Sequence, residues 1–151
     1  MQEKKIVIAS DHGGFKLKKS LVDVLTREGY KVLDKGTDNA ECSVNYPDYA
    51  AKVARAIQAG EADKGILICT SGVGMSIAAN RYPFIRGALV FNREMAQLCR
   101  AHNDANVLIF GAKFIKEAEA VACIKEFLTT GFDGGRHTCR VAQLERMIED
   151  E

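Results

Sequence analysis

No charge of either sign dominates this chain: 21 lysines and arginines stand against 20 aspartates and glutamates, a formal net charge of +1. That balance removes any broad electrostatic reason to expect DNA, RNA or an anionic membrane as partner, so an anion site has to be a local cluster of basic residues. No apolar run approaches the roughly 20 residues that span a bilayer. The opening MQEKKIVIASDHGG holds too few apolar residues for the core of a secretory signal. Cysteine is unpatterned: Cys42, Cys69, Cys99, Cys123 and Cys139 include no CxxC pair. That argues against a disulfide framework or a zinc site; an odd, scattered set fits reduced thiols, and the chain reads as cytoplasmic. Repeats, low-complexity tracts and long linkers are missing too. One domain over residues 1–151 is the simplest organisation, long enough to bury a real core.

What the chain does contain is alternation. Continuous apolar runs at 5–10, 30–35, 65–70, 87–91 and 106–111 have the pattern of strands buried on both faces of a parallel sheet. Helical patterns separate them. Leu17, Leu21, Val24 and Leu25 form one stripe with Gly29 as a stop, and Pro47 opens the next helix from its first turn. Further helices are expected in REMAQLCRAH and IKEAEAVACIKEFLTT, and a last one at about 136–149. The fold class is therefore α/β: a doubly wound five-stranded parallel sheet in three α/β/α layers, flavodoxin- or Rossmann-like, with expected strand order 2-1-3-4-5. In that order strands one and three are neighbours whose helices lie on opposite faces. Ligands bind such folds at the carboxyl ends of those strands, which here are SDHGGF and CTSGVGMS.

Each piece of chemistry at those ends has a plainer alternative. The glycines after Cys69 suit either a cradle for an anion or a tight turn, and the loop lacks the endings of a P-loop, a dinucleotide fingerprint or a cysteine phosphatase. Cys69 is either a small buried hydrophobe or a thiolate source before a helix start. Asp11 and His12 suit a sugar hydroxyl and a phosphate, or an ordinary surface loop. His102 and Asn103 close a helix, either as a C-cap or for proton transfer. Arg136 and Arg140, one turn apart at a helix start, form a phosphate clamp or a solvated basic face.

Taken in order, IASDHGGFKLK, DKGT, NYPDYA, GILICTSGVGMSIAAN, RAHNDANVLIFGAK and GGRHTCR resemble ribose-5-phosphate isomerase type B, a group that includes allose-6-phosphate and galactose-6-phosphate isomerases. The resemblance runs from about residue 4 to residue 146. It implies an aldose–ketose isomerase of the pentose phosphate pathway, working through an enediolate with no metal and no organic cofactor. Cys69 is then the base between C1 and C2. Thr70 and Ser71, with the N–H groups of Gly72, Val73 and Gly74, hold the enediolate oxygen, and Asn103 lines the same site. His102 assists ring opening with Asp11 and Tyr46 nearby, and His12, Arg136 and Arg140 bind the phosphate. Lys113 replaces a phosphate-contacting Arg of many relatives and loses its fork. Met75 stands where some relatives carry a Glu base, Asn45 where many have Asp, and Thr70 where Gly is common. The resemblance further implies a homodimer or homotetramer sharing its active site between subunits, with the last helix packing on a partner. A hexose-6-phosphate isomerase and a non-catalytic sugar-phosphate sensor are the rival readings.

Overall fold

The computed structural model describes residues 4–149. Strands β1 (Lys5–Ser10), β2 (Lys31–Asp34), β3 (Lys64–Cys69), β4 (Gly87–Leu89) and β5 (Val107–Gly111) form one all-parallel sheet. The helices are α1 (Phe15–Arg27), α2 (Tyr46–Gln58), α3 (Val73–Ala79), α4 (Arg93–Asn103), α5 (Glu117–Thr129) and α6 (Arg136–Glu149). A single 3-10 turn, His12–Gly14, leads from β1 into α1.

Local chemistry accounts for the boundaries. Helix α1 buries Leu21 and Leu25 and stops where Gly29 takes φ +93°, with the Gly29 N–H donating to the Thr26 carbonyl at 3.1 Å. Helix α2 carries Pro47 in its first turn, where a missing N–H costs nothing. Asn92 caps α4 by accepting from the Met95 N–H at 2.9 Å.

The strand order is β2-β1-β3-β5-β4. The doubly wound class stands, but the expected order is corrected at its far end, where β5 lies inside β4. The reason is burial. Every residue of β5 is buried, whereas β4 is three residues long and half-buried throughout. The more apolar strand takes the interior place, and the short one ends the sheet.

The exchange changes which helices share a face. Right-handed crossovers put α1, α4 and α5 on one side, packed on Ile6, Ile8, Ile66, Ile68, Leu108 and Phe110. Helices α2 and α3 pack on the other side against Val7, Ala9, Leu67 and Ile109. Strand β3 therefore has a helix on the opposite face from the helices of both its neighbours, β1 and β5. Both crevices at its carboxyl end are switch points where ligands bind such sheets.

Candidate active site

Strand β3 delivers Cys69 to its carboxyl end, where the residue is 5% exposed. Its Sγ accepts the Gly72 N–H at 3.2 Å, which puts a donor where negative charge on sulfur would sit. Gly72 has φ +79°, a left-handed conformation that favours glycine, and this bend starts α3 directly over the thiol. Ser71 Oγ accepts the Val73 N–H at 3.2 Å, and Thr70 is exposed beside it. Helix α3 is only seven residues long, so its contribution here is a set of local N–H groups rather than a long dipole.

The loops at 10–15 and 69–76 do meet. The Asp11 N–H donates to the Ile68 carbonyl at 3.2 Å, and the Asp11 carboxylate accepts from the Gly14 N–H at 3.1 Å. The Thr70 hydroxyl fills the space over Gly13 that a side chain there would need. His12 Nδ1 accepts the Val44 N–H at 3.1 Å, so in the neutral ring the proton sits on Nε2, the nitrogen left for a ligand. The Tyr46 ring lies over Gly74, where a Cβ would come within 2.6 Å of the ring carbon Cζ. On the other flank the Lys113 N–H donates to the Thr70 carbonyl at 3.0 Å. Asn45 precedes α2 without a side-chain capping bond. Met75, in place of an acid, is fully buried and faces the core. Asp11, His12, Tyr46, Cys69, Thr70, Ser71, Gly72, Val73, Gly74 and Lys113 thus belong to one end of the sheet.

His102, Asn103, Arg136 and Arg140 belong to the other. Helix α4 runs back along the sheet and ends ahead of Val107, which is in register with Gly65 at the start of β3, while Cys69 is in register with Gly111. Four strand residues at ~3.3 Å each separate the two levels by roughly 13 Å. The residue that caps α4 is Asp104, in the left-handed region at φ 49°, rather than His102 or Asn103. His102 instead stacks on His137, with ring centroids 4.3 Å apart and planes 14° from parallel. Arg136 and Arg140 are exposed on the first two turns of α6. Burial, with help from His102, Arg136 and Arg140, holds the His137 imidazole below its ordinary pKa.

Sequence reasoning missed what fastens this second group. Arg86 donates to Glu145 Oε1 at 2.6 Å and to the Asp104 carbonyl at 2.9 Å, and Arg100 donates to Asp104 Oδ1 at 2.8 Å. His137 was also missed, although it sits between the two arginines of GGRHTCR.

Residues 6–144 match the ribose/galactose isomerase family. The chain is 46% identical over 138 residues to ribose-5-phosphate isomerase B of Escherichia coli, covering 91% of this chain and 92% of that protein. A ribose 5-phosphate isomerase structure from Thermotoga maritima superposes with a TM-score of 0.93 at 48% identity, covering 96% of this chain and 99% of that one. The Mycoplasma genitalium ribose-5-phosphate isomerase B, solved with ribulose 5-phosphate bound, gives 0.94 at 36% identity with full coverage of both chains.

Proposed function

This chain belongs to the ribose/galactose isomerase family and is an isomerase; from that premise we propose that it interconverts D-ribose 5-phosphate and D-ribulose 5-phosphate through an enediolate, as a cytoplasmic enzyme of the pentose phosphate pathway. The observation that carries the proposal is the setting of Cys69: a sulfur at the end of β3, hydrogen-bonded by the Gly72 N–H and roofed by the turn into α3. The Cys69 thiolate removes the C2 proton of the open-chain aldose, and the electron pair moves to form the C1–C2 double bond of the enediolate. Thr70, Ser71 and the N–H groups of Gly72, Val73 and Gly74 hold its oxygen. The O2 hydroxyl proton passes to O1 across the enediolate, and the same sulfur returns its proton to C1, leaving the C2 carbonyl of the ketose. His102 opens the furanose ring beside Asp11 and Tyr46, and Asn103 lines the enediolate site. His12, Lys113, Arg136 and Arg140 take the phosphate, whose binding energy orients the reacting carbons.

Because these groups lie at two ends of one sheet, we place each active site between two chains, with His102, Asn103, Arg136 and Arg140 supplied by a partner copy. Val73, Ile77, Phe91, Met95, Leu98 and Phe114 are all exposed, and such an interface gives these side chains apolar cover. Leu144 and Met147, exposed on α6, take the same cover for the last helix. The test is exchange of the C2 proton of ribose 5-phosphate in heavy water. The wild-type chain should exchange it, and Cys69→Ala should not while still binding the phosphorylated sugar. A variant that exchanges at nearly the wild-type rate removes the thiol base. Turnover of allose 6-phosphate with ribose 5-phosphate untouched would replace the pentose with a hexose.

A further inference from the structure

Around His102 the fold gathers a second histidine and a carboxylate to which the isomerase chemistry assigns no work. His102 ends α4, His137 opens α6, and Asp133 lies in the loop before α6 with its N–H donating to the Ala101 carbonyl at 2.9 Å. One ligand atom from each of the three, two imidazole nitrogens and a carboxylate oxygen, lies within 4.8 Å of the others. Two imidazoles and a carboxylate are the donor set of a borderline divalent transition ion, softer than an oxygen-only cluster would hold.

We propose that His102, His137 and Asp133 bind a Zn²⁺-class divalent cation, and that the bound ion stops isomerisation by occupying the His102 imidazole. Metal–nitrogen bonds of about 2.0–2.1 Å at tetrahedral angles need donors roughly 3.4 Å apart. The cluster is therefore at most about 1.4 Å too open at its 4.8 Å limit. Both rings are half-buried and Asp133 is exposed, so binding asks the three side chains to rotate toward one another and the two rings to leave their stack. Three protein ligands leave a fourth position for water, as in an exchangeable site rather than a structural one. Arg136 and Arg140, on the adjoining turns of α6, repel a cation and keep the binding reversible. Binding stands on this geometry alone; the inhibition rests on the reading of His102 as the ring-opening group.

Zn²⁺ titrated calorimetrically into the full chain tests both parts. Cys42→Ser and Cys139→Ser in the background remove the two exposed thiols as competing ligands. One saturable site per chain is expected, weakened by about tenfold or more in Asp133→Asn and, separately, in His137→Asn, each checked for an intact fold by circular dichroism. Isomerisation should fall as that site fills, recover with a chelator, and need correspondingly more Zn²⁺ in each variant. No saturable binding, or an affinity that neither variant changes, overturns the site. Binding that follows both variants while turnover is indifferent to Zn²⁺ overturns the inhibition and the role given to His102, and leaves the metal site and the Cys69 chemistry standing.

Discussion

Three buried cysteines carry the same side chain and differ in what surrounds the sulfur. Cys69 receives an N–H from Gly72, whereas the Cys99 thiol donates to the Ala96 carbonyl at 3.2 Å and Cys123 lies fully buried in the core under α1, α4 and α5. Burial pushes the Cys99 and Cys123 thiols up from 9.0 to about 11. Both therefore stay protonated at neutral pH and supply no thiolate there. Their folded pKa lies above the unfolded one, so the stability linked to them is complete below about pH 9 and lost as pH rises through about 11. Denaturant unfolding measured from pH 8 upward should show stability falling across that window, and the fall should be shallower in Cys99→Ala/Cys123→Ala. An unchanged slope would mean that other groups drive the alkaline loss. Cys69 was distinguishable in the sequence because a buried run stops there and glycines follow. The environments of Cys99 and Cys123 were not, because they depend on which faces of α4 and α5 meet.

At the level of elements, no described side chain of α6 enters either apolar core, and charge holds the helix through Glu145. Glu145 on α6 accepts from Arg86 and, through its other oxygen, from the Phe84 N–H at 3.1 Å. The same guanidinium reaches Asp104, which Arg100 also grips, so one arginine ties the end of α4 to α6. Asp104 holds a positive φ, a region that aspartate enters more readily than most residues, and the two arginines fix its carboxylate and carbonyl. Arg86→Met should therefore lower folding stability by about 1–3 kcal/mol, the range for hydrogen bonds to charged groups. It should also cut turnover, since His102, Arg136 and Arg140 all sit on the elements it joins. Thermal unfolding and steady-state kinetics read the two effects. Unaltered kinetics with reduced stability would limit the arginine to folding. None of this was legible beforehand, because Arg86 and Glu145 sit in no motif and lie far apart in the chain, and the motif that holds Asp104 does not say what pairs with it. The β4–β5 exchange was hidden for a related reason: GALVF and NVLIFG are both apolar runs, and only packing reveals that β4 contributes three half-buried residues.

For the whole molecule, the alternation of strands and helices already set SDHGGF and CTSGVGMS side by side at the carboxyl ends of their strands, whereas His102, Asn103, Arg136 and Arg140 fall at the opposite end of the sheet. That division follows from the direction of α4, which starts above the sheet and returns to its lower edge, taking His102 and Asn103 away from Cys69. Two inactive variants turn the division into a measurement. In Cys69→Ala the partner-facing half is intact, and in His102→Asn the thiol half is intact. A mixed pair of such chains has one site with both lesions and one site with neither. If sites form between copies, unfolding and refolding an equimolar mixture makes half the pairs mixed, and activity returns to about a quarter of the wild-type value. If every site forms within a single chain, no combination restores anything, and the mixture stays as inactive as its components. Recovery near a quarter would also require the apolar surface around Val73, Ile77 and Phe114 to be covered by a second copy, so changing Ile77 to Lys in both chains should abolish the rescue together with the assembly.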